Sequence, residues 1–239
     1  QIERNMTTAH ELNELRTSWI GTAASQIFFM QLGFLCYECG FVNKLWTNSI
    51  ITKNLEDTFV GVLTFVMFSW SLSSSTTSLC GIISIPENIL LINVDPSLYE
   101  NIIVGACFAT TACTIISGAV LERMKNKVYI IWCFLVCLIP YSITSHVIWH
   151  PDGLLYKFGF MDGAGAIVIH GIGGCASLIS LFHLGPRHGM LKSNGILKSV
   201  PSSDQPIIVA LGTFILWYGW FAFNISSPIT AGIDLDGRL

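Results

Sequence analysis

Six long apolar runs make up most of the chain, and short polar stretches separate them. The runs cover about residues 18–42, 50–72, 99–121, 128–147, 160–184 and 206–225. Each is long enough for the roughly 20 residues that a helix needs to cross the hydrocarbon core of a bilayer. The pattern predicts an all-α, polytopic integral membrane protein.

Polar residues inside these runs indicate that the helices pack together rather than face lipid on every side. The first run contains Gln26, Gln31 and Glu38, and the fourth contains Pro140. Polar and ionisable groups are costly in hydrocarbon and usually face a partner or a cavity. Proline is tolerated in a spanning helix where neighbours satisfy the freed carbonyl. We therefore expect a bundle with a polar interior.

Composition supports the membrane assignment and excludes several other classes. Of 239 residues, 52% are hydrophobic and 11% are charged, whereas a soluble domain carries about 25% charged residues. The net charge is −3, and no basic patch with interleaved aromatics suggests a nucleic-acid partner. The eight cysteines lie mostly within apolar runs and lack metal-site spacing, so they are interpreted as packing residues. We expect no metal and no cofactor.

The distribution of lysine and arginine predicts the orientation in the membrane. Eight of the twelve fall on one side: Lys44, Lys53, Arg123, Lys125, Lys127, Arg187, Lys192 and Lys198. Because the positive side is usually cytoplasmic, the N-terminus is predicted to lie outside. Residues 1–17 are then an outer N-terminal segment, with a glycosylation sequon at Asn5, and residues 231–239 begin an outer loop. We expect further sequence after Leu239.

The most informative polar residues lie in the stretch at residues 162–187, which covers most of the fifth run and reads DGAGAIVIHGIGGCASLISLFHLGPR. Asp162 and His170 are eight residues apart, which on an ideal helix is about 12 Å of rise and roughly 80° of rotation. That spacing lets both face one lumen. Two structural roles remain open beside a functional one: Asp162 as a helix cap and His170 as a hydrogen-bonded interhelical contact. The small residues of this run predict close helix approach.

Aromatic residues from the third, fourth and sixth runs fall at one predicted level near the outer surface. They are Phe108, Trp149, Trp217, Trp220, Phe221 and Phe223. Trp and Tyr are enriched in belts at membrane interfaces, and the pattern alone favours that interpretation. The alternative is a vestibule whose rings attract a cation.

Five segments, in this order, resemble the ammonium transporter (Amt/Mep/Rh) family, nearer its Amt branch. They are FMQLGFLCYECG at 29–40, GAVLERM at 118–124, HVIW at 146–149, the run at 162–187 and YGWFAFNISS at 218–227. The resemblance covers about residues 18–230 as one domain. It implies a fold of about eleven spans in two inverted halves, with a pore in each protomer of a homotrimer. This chain would supply the first half.

The resemblance implies a place for an ammonium ion at the outer surface. Trp149 and Ser227 would line that site, and Asp162 would support it through its charge and by holding the neighbouring backbone. The family usually has Phe or Tyr after this aspartate, whereas this chain has Gly163, which puts the packing of the vestibule in doubt.

Below that site, the resemblance implies a gate and a pore histidine. Phe108 and Phe223 would be the stacked phenyl gate, and His170 would be the first of two pore histidines. The second histidine belongs to the other half of the fold. A further aromatic sometimes precedes Phe108 by one turn, but Val104 stands there in this chain.

The expected function is transport of ammonium or methylammonium across the plasma membrane. Ammonium would bind outside and lose a proton near the gate, and ammonia would pass through an apolar pore. An ammonium sensor and a non-conducting partial protein remain alternatives, separable by the sequence after Leu239 and by uptake. An enzyme is the least supported reading, because the chain has no nucleophile-elbow motif.

Overall fold

The described part of the chain contains six helical spans that are long and apolar enough to cross a membrane. The computed structural model describes residues 2–187, 190, 196, 203 and 205–230. The spans are Glu14–Gly40, Lys44–Ser74, Pro96–Ala119, Asn126–Lys157, Gly163–Leu184 and Pro206–Ser226. They confirm the all-α membrane fold expected from the sequence.

The helices have the following bounds: α1 Ile2–Gly40, α2 Thr47–Thr64, α3 Trp70–Ser74, α4 Tyr99–Ala119, α5 Asn126–Val136, α6 Ser142–Trp149, α7 Leu154–Lys157, α8 Ile172–Leu184 and α9 Pro206–Thr230. Short 3₁₀ turns cover Lys44–Trp46, Ile89–Leu91, Pro96–Leu98 and Gly163–Gly165. Strands β1 Ser78–Leu79 and β2 Ile83–Ser84 pair antiparallel. Residues predicted as a separate outer segment, from Ile2 onward, are continuous with α1.

Three of the spans contain a single π-helical turn, at Phe65–Ser69, Cys137–Tyr141 and Ala166–Gly171. The first two contact each other: the Ser69 hydroxyl donates to the Cys137 carbonyl at 3.0 Å. The second contains Pro140, which cannot donate a backbone hydrogen bond. The third lies directly before α8 and carries His170.

Helix α4 is the centre of the described bundle. In its span 72% of the most apolar window is buried, against 39% or less in each of the other five. It is close to α2: a Cβ added to Gly61 would lie 3.0 Å from the Thr110 Cα. Such an approach requires glycine, since larger residues would separate the two backbones.

Helices α1 and α9, far apart in sequence, pack side by side. A Cβ added to Gly212 of α9 would lie 2.6 Å from the Tyr37 backbone nitrogen and 2.7 Å from the Gly33 carbonyl oxygen, both on α1. Backbone atoms cannot move aside as side chains do. The glycine therefore fixes how closely the first and sixth spans approach.

The loop between α3 and α4 is anchored to the end of α6. The buried His146 ring lies 2.9 Å from the Ser73 carbonyl, 3.0 Å from the Ser84 hydroxyl and 2.8 Å from the Ser78 hydroxyl. In the same loop, hydrogen bonds from the hydroxyls of Thr77 and Thr76 lower the pKa of Glu87. The contacts of His146 hold the β1–β2 hairpin against α6.

One lysine that contributes to the orientation prediction, Lys53, is buried inside the helix bundle. The orientation prediction counts Lys53, at the beginning of the second run, together with the basic residues of the preceding loop, but Lys53 lies in α2 with 3% of its surface exposed. Its ammonium is 3.4 Å from Glu38 Oε2. A buried, paired lysine is not a loop charge, so the predicted orientation depends on the remaining basic residues.

Candidate functional site

The fifth span begins with a broken helix that Asp162 holds together. Ala164 and Gly165 have φ values of +54° and +68°, a conformation that L-residues other than glycine seldom adopt. The two carboxylate oxygens of the buried Asp162 accept hydrogen bonds from the amides of Ile167 and Val168, each at 3.0 Å. Asp162 therefore caps the start of the π-turn, because it binds the amides of the residues five and six positions after it in the chain.

The predicted geometry from Asp162 to His170 is wrong, although the capping prediction is right in kind. The 12 Å rise and 80° rotation assumed a continuous α-helix. Instead, residues 163–165 form a 3₁₀ turn that contains left-handed backbone, and residues 166–171 form a π-turn. Both change the rise and rotation per residue. The directions in which the Asp162 and His170 side chains point are therefore given by their contacts.

His170 is half-buried against aromatic rings of α9. Its ring centroid lies 5.4 Å from that of Trp220 and 5.8 Å from that of Phe223. In the part of the chain that the structure describes, no hydrogen bond joins the imidazole to another helix. The interhelical hydrogen bond considered from the sequence is thus not what positions this histidine here.

The two residues expected to form the gate are in contact. The rings of Phe108 and Phe223 are 4.7 Å apart and inclined by 53°, so they are tilted rather than stacked in parallel. Their exposed fractions are 2% and 0%. Trp220, which the sequence analysis placed among the outer aromatics but not in the site, packs edge-on against Phe223 at 4.7 Å.

Trp149 joins this pair to the capped turn. Its ring lies 6.2 Å from that of Phe108, and its indole N–H donates to the Asp162 carbonyl at 3.4 Å. A continuous set of contacts therefore runs from Asp162 through Trp149, Phe108 and Phe223 to His170. Four separate spans contribute to it.

The aromatic residues of α9 fall into an exposed group and a more buried group. A single interpretation, whether a membrane-interface belt or a cation-binding vestibule, therefore does not cover them all. Trp217 and Phe221 are 60% and 62% exposed on the described part of the chain, so for these two the membrane belt stays a prediction. Phe223 and Trp220 point inward onto the gate contacts. One helix thus carries both an exposed and an inner aromatic face.

Three further positions that the family resemblance singles out are Ser227, Gly163 and Val104. The side chain of Ser227 lies outside the described residues, so its place in an outer ammonium site is still a prediction. At Gly163, an added Cβ would meet no described atom within 4 Å, so the missing aromatic leaves open space. Val104 is fully buried and fills its position as a core residue.

The prediction of close helix approach along the fifth span holds at one glycine. A Cβ added to Gly173 would lie 2.9 Å from the Ile115 Cβ and 3.1 Å from the Ala112 carbonyl oxygen of α4. At Gly174, as at Gly163, nothing among the described residues lies within 4 Å. Composition alone could not distinguish these positions.

Comparison with known proteins gives one consistent result. The family model described as "Ammonium Transporter Family" matches residues 18–235. Ammonium transporter 3 of Dictyostelium discoideum is 32% identical over 89% of this chain and 49% of its own length. The putative ammonium transporter sll1017 of Synechocystis is 36% identical over 87% of this chain and 47% of its own length.

Solved structures agree with the sequence comparisons. A structure titled "Sensor Amt Protein" has a TM-score of 0.84 and 34% identity, over 90% of this chain and 55% of that one. Saccharomyces cerevisiae Mep2, at 24% identity and a TM-score of 0.77, shares the fold over 89% of this chain and 48% of its own. The chain spans about half the length of the relatives it matches, and it belongs to the ammonium transporter family.

Proposed function

We propose that this chain is the first half of an ammonium transporter and carries the outer part of its conduction pathway. The observation that carries the proposal is the set of contacts from Asp162 through Trp149, Phe108 and Phe223 to His170. In this series the Asp162 backbone carbonyl, an indole, two phenyl rings and an imidazole follow one another across four spans, which supports a pathway along them.

The physical chemistry of this series suits ammonium. An indole face attracts a cation by about 0.5–2 kcal/mol, and Trp149 with Ser227 would offer such a face and a hydroxyl acceptor. Moving an ion from water into apolar surroundings is very costly. Ammonium therefore gives up a proton near Phe108 and Phe223, either to water at the outer surface or to His170, and neutral ammonia continues. His170 either orders ammonia or relays the proton, because an imidazole titrates near neutral pH.

The remaining architecture is proposed from family membership. Residues 18–230 form the first half of the transporter domain, residues 1–17 lie outside the cell, and residues 231–239 begin an outer loop. The second pore histidine is supplied by the other half of the fold, and three protomers assemble in the plasma membrane. Relatives named as transporters support transport rather than enzymatic catalysis.

A sensor is the second candidate. The structure titled "Sensor Amt Protein" is similar over 90% of this chain with a TM-score of 0.84, so the same fold half occurs in a protein described as a sensor. A sensor would keep the outer site but transmit binding to another part of the protein. The two functions differ in whether bound ammonium crosses.

Uptake and binding by the full protein distinguish these functions. Labelled methylammonium uptake is measured in cells that lack their own ammonium transporters, and methylammonium binding is measured on the purified protein. A transporter gives uptake that ammonium competes away. Binding without uptake would support the sensor, and neither binding nor uptake by correctly folded protein would contradict both.

A further inference from the structure

A second group of ionisable residues lies at the other end of the bundle. Glu38 is near the end of α1, Lys53 and Asp57 are in α2, Ser117 is near the end of α4, and Tyr129 begins α5. None is more than 3% exposed. Tyr129 and Trp149 mark opposite ends of one span, so this group is separate from the gate.

Lys53 and Glu38 form a buried ion pair through one oxygen of the glutamate. Lys53 Nζ lies 3.4 Å from Glu38 Oε2 and donates to the Ser117 carbonyl at 3.0 Å. The same Glu38 oxygen accepts from Asn54 Nδ2 at 2.7 Å and from the Ser117 hydroxyl at 2.8 Å. The charges of these two residues cancel, and their mutual contacts use the ammonium of Lys53.

Asp57 is a second buried carboxyl, and no lysine or arginine among the described residues forms an ion pair with it. It is fully buried, and its Oδ2 lies 2.7 Å from the Tyr129 hydroxyl. Its Oδ1 lies 3.4 Å from the Thr58 hydroxyl, which is closer, at 2.8 Å, to the Asn54 carbonyl. An ionised carboxylate in such surroundings is very unfavourable unless it is paired.

The hydrogen bonds of Tyr129 give independent evidence that the Asp57 carboxyl is protonated. The tyrosine oxygen lies 2.7 Å from Asp57 Oδ2 and 3.1 Å from the Cys113 carbonyl oxygen. A tyrosine hydroxyl has one hydrogen, and neither an ionised carboxylate nor a carbonyl supplies another. A protonated Asp57 supplies it: its O–H donates to the Tyr129 oxygen, and the Tyr129 hydroxyl donates to Cys113.

Two more oxygens show that acceptors exceed hydrogens at this site. Glu38 Oε1 and Asn54 Oδ1 are buried and have no hydrogen-bond partner among the described residues. Gly118 leaves the first of them space, since an added Cβ would be 3.5 Å away. A site short of hydrogens favours an additional proton.

We propose that Glu38, Lys53 and Asp57 form a proton-binding site, net neutral at pH 7, in which Asp57 holds the proton. The proton lies between Asp57 Oδ2 and the Tyr129 oxygen. The titratable groups that face Asp57 are Glu38 from α1, Lys53 from α2, Cys113 from α4 and Tyr129 from α5, and Cys133 of α5 lies next to Tyr129. The proposal is independent of transport through the gate.

Infrared spectroscopy of the full protein in lipid nanodiscs tests this directly. A protonated carboxyl has a C=O band that a carboxylate lacks. At pH 7 we expect such a band, shifted by ¹³C-carboxyl aspartate and lost in Asp57→Asn. Tyr129→Phe should move it to higher frequency, because the carboxyl loses its acceptor. Asp95→Asn, at an exposed loop carboxylate, should leave it unchanged.

Removal of the charges on Glu38 and Lys53, one after the other, provides a second test. Glu38→Gln leaves Lys53 without its counter-ion, so Asp57 should ionise and its band disappear. Adding Lys53→Met should restore the band. A labelled wild type with no aspartate carboxyl band, or a band that survives Asp57→Asn, would overturn the proposal. If a variant fails to fold, the labelled wild type and Tyr129→Phe still decide the question.

Discussion

Asp162 and Val168 are joined by a hydrogen bond of 3.0 Å from the Val168 amide to the Asp162 carboxylate. The bond spans a segment in which Ala164 and Gly165 are left-handed. A left-handed alanine costs about 1–2 kcal/mol, and charge-assisted hydrogen bonds contribute about 1.5–3 kcal/mol each. The carboxylate therefore stabilises the turn that leads to His170.

Asp162→Ala should destabilise the start of the fifth span. Two backbone amides lose their acceptor, which costs about 1–3 kcal/mol for each buried group left unpaired. We expect a lower unfolding temperature and a strong loss of methylammonium uptake by the full protein. Uptake and thermal unfolding in detergent are the measurements.

Asp152→Asn is the matched control, because Asp152 pairs with Lys157 in the open at 3.0 Å, with both side chains about half exposed. Such pairs contribute about 0–1 kcal/mol, so this variant should behave like wild type. Equal effects of the two substitutions would contradict a specific role for Asp162.

Phe223→Ala should remove one ring of the gate and open a cavity beside Phe108. Loss of a buried phenyl group costs about 3–5 kcal/mol in well-packed interiors, and the path between Trp149 and His170 widens. We expect altered methylammonium uptake together with a lower unfolding temperature. Phe221→Ala, two residues earlier on α9 but 62% exposed, should change both much less. The opposite order would count against the assigned gate.

Gly212→Ala should weaken the packing of α1 on α9. The new methyl group would lie 2.6 Å from the Tyr37 nitrogen and 2.7 Å from the Gly33 oxygen, so the helices must separate. Overpacking of this kind costs about 1–3 kcal/mol. Thermal unfolding measures the effect. Gly21→Ala is the control: an added Cβ there would meet no atom of a neighbouring described element within 4 Å, so this variant should be neutral or slightly stabilising. A similar loss in both variants would contradict the close contact.

The sequence was sufficient to predict features that depend on local composition. Six apolar runs predicted six spans, because length and hydropathy alone decide whether a helix can cross a bilayer. Asp162 before an apolar run predicted a cap, because a carboxylate satisfies amides at a helix start. The contact between Phe108 and Phe223 was expected only from the family resemblance.

The features that the sequence analysis missed depend on tertiary contacts. The π-turn before α8 follows left-handed backbone at Ala164. No pattern of residue types in the sequence predicts that turn. The sequence predicts Lys53 at the beginning of the second span but does not predict its pairing with Glu38, which lies in another helix. A carboxylate in the first apolar run and a lysine three residues into the second were signals of that pair, but spacing along the chain does not show contact between helices.

The most direct test of the central claim is methylammonium uptake by the full protein with His170→Ala. Trp217→Ala serves as a control on the exposed face of α9, and both variants are checked for folding and surface expression. We expect the loss of His170, which closes the series of contacts from Asp162, to reduce uptake strongly, while Trp217→Ala retains it. Unchanged uptake by correctly folded, surface-expressed His170→Ala would contradict the assignment of this histidine to the pore.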